Sequence, residues 1–341
     1  MAIKTVTIKD VAKFAGVSTA TVSRALSKPE TVSEATRSTV LHAAKSTGYK
    51  INIAARNLRS KQTGAIVVFI PDLANPFFSN ILAGIEKAAA EVGKSVFLVN
   101  TFGPKSKQDD SIRQYLSKTR ADGIIVLDGS LQKGLLQNEA EKGNSPPIVF
   151  ACEWSSEHDF PSVRADNQLG AALAISHLVD LGHRTIGHLA GPMWNVLSKE
   201  RMTGFKSALL EHDLNEAVWT FEGDFSIESG VRAARDFVTH ERRPTAVFCA
   251  SDLMAIGFIS ELAKQGLKVP SDISVVGFDD IDIAERFIPA ITTIHQRREQ
   301  LGISAMRLMM EAIESETSQV RHQPLVLPVE LIPRDSTARL A

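Results

Sequence analysis

Residues 7–26, Thr-Ile-Lys-Asp-Val-Ala-Lys-Phe-Ala-Gly-Val-Ser-Thr-Ala-Thr-Val-Ser-Arg-Ala-Leu, leave the head of this chain few ways to fold. Thr7 and Asp10 are spaced as a capping box that satisfies the first free backbone N–H groups of a helix. Ile8, Val11, Ala12 and Ala15 then recur at helical spacing and make one apolar face. Gly16 ends that helix, because a residue without Cβ can turn to positive φ. Ser18 caps a second helix whose Val22 and Leu26 point back at the first, and Ala12 is small where the two must cross closely. The spacing predicts a helix-turn-helix. Thr19, Ala20, Thr21, Ser23 and Arg24 fall on its outer face, early in the helix that such units lay in a DNA major groove. A plain αα-hairpin with a solvated outer face fits the same spacing, so the neighbouring sequence has to decide.

Charge is the first discriminator. The chain of 341 residues is nearly balanced, with 38 Lys and Arg against 39 Asp and Glu. The balance hides an asymmetry: residues 1–63 hold eleven basic side chains and three acidic ones, a net of +8, which leaves −9 on the remainder. A basic head on an acidic body suits phosphate contacts at one end only, with counterion release supplying affinity. The second discriminator is the sequence beyond the two helices. Ser33 opens a third helix that ends at Gly48, and Val32, Val40 and Ala44 would close a small core over the first two. Asn52–Arg59, Asn-Ile-Ala-Ala-Arg-Asn-Leu-Arg, is too short for a stable isolated helix and is expected to fold on DNA.

Residues 64–341 are long enough for two α/β lobes. Apolar strands are predicted at Ala65–Ile70, Val96–Val99, Gly123–Leu127 and Ile148–Cys152, then at Thr185–Leu189, Ala217–Phe221, Thr245–Cys249 and Ile273–Phe278, with amphipathic helices between them. This alternation implies doubly wound parallel sheets with both faces covered, and ligand-contacting residues at the carboxyl ends of the strands. Those ends carry Phe77 and Phe78, Glu153, Trp194 and Asn195, Phe225, Ser251 and Asp279, with Arg201 in the Arg-Met-Thr-Gly-Phe stretch. Aromatic faces beside carboxylates, an amide and an arginine form a mouth for a polyhydroxylated ring, since rings stack and hydroxyls take charge-assisted hydrogen bonds. One of Phe77 and Phe78 also reads as core, and Asp252 and Asp280 read equally well as helix N-caps.

Several chemistries lack their signatures. There is no G-x-x-x-x-G-K-[ST] and no G-x-G-x-x-G after a strand. The nine histidines lack zinc-ligand spacing, no Ser-His-Asp set can be placed, and no cofactor is expected. Cys152 and Cys249 each close an apolar strand, the usual setting of a buried thiol. Two cysteines, no secretory leader and no stretch of membrane-spanning length lead to the expectation of a cytoplasmic protein without a membrane partner. A binding protein of exported type, or an enzyme on that scaffold with an incidental basic head, stays open as the alternative.

The stretches "VTIKDVAKFAGVSTATVSRAL", "VSEATRSTVLHAAKSTGY" and "NIAARNLRS", followed by "RMTGFKSAL", "PTAVFCASDLMAIG", "VPSDISVVGFDDIDIA" and "TTIHQ", resemble the LacI/GalR family of bacterial transcription regulators over essentially the whole chain. The resemblance implies a helix-turn-helix head (1–50), a hinge helix and linker (51–63) and a two-lobe effector-binding and dimerisation core (64–341) like periplasmic binding proteins. The chain would cross between lobes three times, giving a first lobe of about 64–162 and 294–320 and a second of about 163–293 and 321–341. Thr19, Ala20 and Arg24 would then read base edges, Thr21 and Ser23 would contact phosphates, and the hinge would contact DNA through Asn52, Ala55 and Leu58. Leu58 matches a leucine that wedges into the minor groove; an anchor against the core is the other reading of that side chain. Arg201 and Asp279 match the effector-contacting arginine and aspartate, Phe225 a stacking aromatic, and Ser251 and Glu153 positions near ligand. The implied partners are a double-stranded, pseudo-palindromic operator, a small sugar or nucleoside, and a second copy of the chain, with pairing of dimers into tetramers left open. The role of Arg298 is open as well.

Overall fold

The computed structural model describes residues 6–27, 31–49, 63–101, 112–131, 136, 145–154, 160–214, 219–315 and 323–340. The chain divides into two compact units, Met1–Gln62 and Thr63–Ala341.

The head unit holds α1 (Ile8–Ala15), α2 (Thr19–Ser27) and α3 (Glu34–Thr47). Its start is fixed by Asp10, whose carboxylate accepts from both the backbone N–H and the hydroxyl of Thr7 at 2.8 and 2.7 Å. Gly16 closes α1 at φ 66°, and the Ser18 hydroxyl accepts from the Thr21 N–H at 3.0 Å to open α2. Ser33 caps α3 in the same way, and Gly48 ends it at φ 70°. Val11, Val22 and Val40, one from each helix, are fully buried against Ala12, Ala25 and Ala43. Each such valine contributes about 1.5–3 kcal/mol by leaving water, which is how so few residues hold three helices together.

In the second unit, β1 (Ala65–Ile70), β2 (Ser95–Asn100), β3 (Gly123–Val126), β4 (Ile148–Ala151) and β5 (Ser162–Ala165) form a parallel sheet with β11 (Leu325–Leu327), in the order β11-β5-β4-β3-β1-β2. Every residue of β1, β3 and β4 is buried, as continuous apolar runs in a two-sided sheet should be. The helix α4 (Phe77–Glu91) packs on this sheet beside α10 (Arg298–Glu314). These two helices approach backbone to backbone: a Cβ on Gly302 would lie 2.0 Å from the Ile81 carbonyl oxygen, and one on Gly84 2.1 Å from that of Glu299.

The second lobe has β6 (Ile186–Ala190), β7 (Thr220–Glu222), β8 (Ala246–Cys249) and β9 (Ser274–Val276) in the order β7-β6-β8-β9. Helices α5 (Asn167–Asp180), α6 (Val196–Glu211), α7 (Ile227–Thr239) and α8 (Asp252–Lys264) accompany it, with the short α9 (Asp282–Arg286) after β9. The antiparallel pair β10 (Thr293–Gln296) and β12 (Val329–Ile332) continues that lobe, since Gly277 and Asp279 donate their N–H groups to the Thr292 and Ile294 carbonyls. Both lobes therefore follow one plan, in which the second strand pairs outside the first and the later strands add on the other side.

The chain enters this unit through a charged anchor. The Asp122 carboxylate accepts from the N–H groups of Thr63 and Gly64 at 2.6 and 2.8 Å and from Lys94 Nζ at 2.8 Å. Burial opposes ionisation there, but the bonds from Lys94 and Thr63 outweigh it and hold the carboxyl below its ordinary range.

Two strand expectations need correction. Ser162–Ala165 is a first-lobe strand that its short, partly polar sequence does not announce, so the first crossing between lobes falls after Ala165. The 321–341 segment, expected wholly in the second lobe, holds two strands in two sheets. Leu325–Leu327 pairs with Val163–Ala165 in the first lobe, and Val329–Ile332 pairs with Thr293–Gln296 in the second. An unbroken apolar run carries no mark of the residue at which it changes sheets. The 321–341 segment is thus split between the lobes, with the last crossing after Leu327.

Candidate functional site

In the head, Thr19, Ala20 and Arg24 are exposed, and Thr21 and Ser23 are half-buried. The Thr21 hydroxyl lies 2.9 Å from Ser18 Oγ, and Arg24 Nε reaches back to the Ala20 carbonyl oxygen at 3.4 Å. Thr19, Ala20 and Arg24 thus stand out from the face of α2 that Val22 and Ala25 turn to the core, and Thr21 and Ser23 lie at its margin. Asn52, Ala55 and Leu58 lie outside the described residues.

The cleft site is built around Arg201. Its side chain is 1% exposed, carried on α6 of the second lobe. Nε donates to Asn167 Oδ1 at 2.9 Å and Nη1 donates to the Ala250 carbonyl oxygen. The guanidinium lies 3.8 Å from the centre of the Phe278 ring, a cation–π contact, and 6.0 Å from that of Phe225. Nη2 is 3.6 Å from Asp279 Oδ1 and has no hydrogen-bond partner. The planar group is thus fixed in place by scaffold oxygens on two of its nitrogens, and the third stands beside Asp279 without a hydrogen bond. Asp279 is itself held by Gln296, which donates to Oδ1 at 2.7 Å.

The backbone is bent to bring these groups in. Cys152, Phe225, Asp279 and Asp280, all at or after strand ends, have φ of 69°, 66°, 113° and 52°. Residues with a Cβ rarely adopt such angles, and their clustering at one place marks a site rather than a packing need. Phe225 also needs Gly191, because a Cβ there would lie 2.4 Å from its ring.

From the other lobe, Glu153 at the end of β4 meets Asn195, the N-cap of α6. Asn195 donates to Glu153 Oε1 at 2.9 Å while its own Oδ1 accepts from the Leu197 N–H at 2.8 Å. The Gly129 N–H donates to Glu153 Oε2 at 2.7 Å. The Asn195–Glu153 bond crosses between the lobes, and so does Arg298. Its Nη1 donates to the Phe77 carbonyl oxygen at 3.3 Å, and its Nη2 donates to the Asp280 carbonyl oxygen at 2.8 Å and to Asp282 Oδ1 at 3.3 Å. Arg298, whose role the sequence left open, therefore clasps the two lobes beside the second crossing.

Burial drives the Glu153 carboxyl up to about 7; the Asn195 bond opposes the shift and the neighbouring Asp128 charge reinforces it. A free glutamate titrates near 4.5, so between these values the folded chain holds a proton that the unfolded chain has lost. The contribution of Glu153 to stability is therefore full below about pH 4.5 and declines by about 3 kcal/mol as pH rises through 7. Glu153→Gln should not lose this contribution. Urea unfolding of both proteins from pH 4.5 to 7.5 should show the variant gaining on the parent as pH rises, and a constant difference would contradict the assignment.

The other expected contacts divide. Phe77 and Phe78 stack edge to face at 5.1 Å and are 6% and 5% exposed, so both, not one, are packed in the core of the first lobe. Trp194 is 66% exposed at the loop before α6. Ser251 is the N-cap of α8, accepting from the Met254 N–H at 3.3 Å. Neither aspartate named as a possible cap is one: Asp252 accepts from Thr293 Oγ1 and the Ile281 N–H, and Asp280 pairs with His295 and Arg334. Asn167, Gln296 and Phe278, which hold Arg201 and Asp279, were not among the residues expected from the sequence. Asn167 follows the overlooked strand β5, and Gln296 ends the overlooked strand β10, so finding those strands would have found both. Among the described residues no group of His, Cys, Asp and Glu is arranged to hold a metal ion, and no helix is long and apolar enough to cross a membrane.

A helix-turn-helix head with a basic excess, joined to two α/β lobes that enclose a buried arginine, defines a DNA-binding regulator with a ligand-binding body. Residues 7–52 match the model of bacterial regulatory proteins of the lacI family, and residues 175–337 that of the periplasmic binding protein-like domain. The chain is 38% identical over 335 residues to the HTH-type transcriptional repressor CytR of Escherichia coli, covering 98% of this chain and 97% of that one. It is 37% identical over 317 residues to the HTH-type transcriptional repressor PurR of Photobacterium profundum, covering 92% and 94%. Among solved structures, the lac repressor dimer bound to operator and the anti-inducer ONPF matches with a TM-score of 0.84 at 31% identity over 98% of this chain and all of that one. The transcriptional regulator CelR in complex with cellobiose matches with a TM-score of 0.74 at 31% identity, over 97% and 99%. The chain belongs to the LacI family, and it is a transcriptional regulator of the repressor type, not an enzyme; the reading as a binding protein with an incidental basic head is not favoured.

Proposed function

We propose that this chain represses transcription as a homodimer on a pseudo-palindromic operator, and that a sugar or nucleoside in the interlobe cleft sets its operator affinity. The observation that carries the reading is the buried Arg201 guanidinium with one nitrogen unpartnered beside Asp279, at the closing edge of two lobes. The effector lies against Arg201, Asp279, Glu153, Asn195 and Phe225, with Ser251 and the exposed ring of Trp194 at the margin. In the head, Thr19, Ala20 and Arg24 face base edges, Thr21 and Ser23 face phosphates, and Asn52, Ala55 and Leu58 form the hinge over 51–63. This work takes place in the bacterial cytoplasm, on the nucleoid.

Apolar surface supports the dimer. The edge strand β2 exposes Phe97 and Leu98, and the second lobe exposes Ile283 and Ile288, the latter at 90%. Large apolar side chains grouped on an edge strand are a surface that association covers. A two-fold dimer presents two heads at half-sites one or more helical turns apart. Ligand that shifts the angle between lobes moves the points at which the two hinges leave the body, and operator affinity changes with them.

Fluorescence anisotropy on a labelled DNA fragment from upstream of its own gene, run beside sedimentation velocity, tests the reading. The expected result is a dimer that binds this fragment at least about a thousandfold more tightly than random DNA, with affinity falling steeply as salt rises. Equal affinity for both DNAs, or a monomer at the concentrations that bind, would overturn it.

A further inference from the structure

Arg298 is the first residue of α10 and is 4% exposed, yet its acceptors lie on two lobes. Nη1 reaches the carbonyl of Phe77, the first residue of α4, and Nη2 reaches that of Asp280, next to Asp279. Asp279 and Asp280 form a turn with both residues at positive φ. The second lobe grips that turn: the Asp279 N–H donates to the Ile294 carbonyl, and the Asp280 carboxylate takes His295 and Arg334. A buried guanidinium that loses either acceptor leaves an unpaired polar group, and its planar fork fixes where the two acceptors stand. The turn and the start of α4 are therefore bound to move together.

The helix α4 carries that constraint away from the cleft. Its backbone packs on α10 at Gly84 and Gly302, where no Cβ fits, so the two helices move as one piece. Beyond its far end the Lys94 N–H donates to the Ala89 carbonyl at 2.9 Å, and Lys94 Nζ bonds the Asp122 carboxylate at 2.8 Å. That carboxylate also accepts from the N–H groups of Thr63 and Gly64, where the chain enters the body from the linker. The Asn195–Glu153 bond between the lobes ends on neither α4 nor α10.

We propose that Arg298 is a positioning residue for the allosteric response: it ties the Asp279–Asp280 turn to α4, and α4 delivers a change in lobe angle to Thr63 through Lys94 and Asp122. The inference rests on the reading that the angle between the lobes sets operator affinity. Each link is a packed or hydrogen-bonded contact, so breaking an early one uncouples the later ones. Arg298 also acts on Asp279 by charge, since burial raises that carboxyl to about 6 while Arg201 and Arg298 draw it down. Arg298→Lys keeps the charge and replaces the fork with a single ammonium, which separates position from charge.

Two readouts on the full chain test the tie. Spin labels at Arg120→Cys in the first lobe and Lys206→Cys in the second report the distance between lobes by electron double resonance, with labelled chain diluted in unlabelled chain. Both sites are exposed, and the native Cys152 and Cys249 are buried. Anisotropy on the upstream fragment and on random DNA reports operator preference. In Arg298→Met the interlobe distance should spread beyond that of the parent, and operator affinity should change about tenfold with random DNA unaffected. Arg298→Lys should give the same pattern at about threefold, and it serves where Arg298→Met does not fold. Asp282→Ala removes an exposed acceptor and leaves both carbonyl bonds, so it should change operator affinity by less than about twofold. An unaltered interlobe distance in the Arg298 variant that folds, or an equal effect of Asp282→Ala, would overturn the tie. A spread distance with unaltered operator affinity would instead overturn the reading that lobe angle sets that affinity, and delivery to Thr63 with it.

Discussion

Arg201→Ala is expected to abolish the rise in melting temperature that ligand produces and to destabilise the ligand-binding unit by about 3 kcal/mol. Both effects stem from what the guanidinium touches. It satisfies Asn167 Oδ1 and the Ala250 carbonyl, lies on the Phe278 ring and stands beside the buried Asp279 carboxyl. Truncation strips two acceptors of their donor and leaves Asp279 with Gln296 as its remaining hydrogen-bond partner. An uncompensated buried charge is the costly part, so Asp279→Asn added to Arg201→Ala should restore part of the lost stability without restoring the ligand response. Urea unfolding of the two variants makes the comparison, and a double variant no more stable than the single one would show that the charge pair is not what Arg201 stabilises.

Arg24→Ala should cost about 1–3 kcal/mol of operator affinity and reduce the preference for operator over random DNA. Arg24 is exposed on α2, one turn beyond Ala20, and the core behind it consists of Val22 and Ala25. The substitution leaves that core intact, so the loss belongs to the interface. The way it is lost identifies the contact. A base contact lowers affinity for operator while leaving random DNA nearly unaffected. A phosphate contact weakens both alike and reduces the slope of log affinity against log salt by about one. Anisotropy titrations on both DNAs at three salt concentrations separate the two outcomes, and a uniform loss would remove Arg24 from sequence reading.

The head was legible because each step there is local. Thr7, Asp10, Gly16 and Ser18 each act on backbone a few residues away, and the small core they frame needs only helical spacing. Strands such as Ala65–Ile70 were legible for a similar reason, as short apolar runs between turn residues. Arg201 and Asp279 could be singled out because they sit in a matching family pattern, but what holds them could not. Asn167 is 34 residues from Arg201 in sequence and Gln296 is 17 from Asp279, and each is brought in by a strand too short or too polar to announce itself. The change of sheet at Leu327–Val329 is set by pairing partners in two different lobes, which no local pattern encodes. Phe77 and Phe78 show a second limit, since one of the two reads as core in the sequence and both are packed in the first-lobe core. Their place at a strand end reads as a cleft wall, yet both turn inward once α4 begins. Arg298 had no pattern to explain it because two of its three partners, the Phe77 and Asp280 carbonyls, are backbone atoms, and the third, Asp282, lies 16 residues away.

Linkage tests whether the cleft and the head act as one device. Whichever compound raises the melting temperature of the chain should be titrated in the presence and absence of saturating operator, and the operator in the presence and absence of saturating compound. Coupling requires a change in operator affinity matched by the same factor of change in ligand affinity. A compound that binds the cleft through Arg201 and leaves operator affinity unaltered would contradict it.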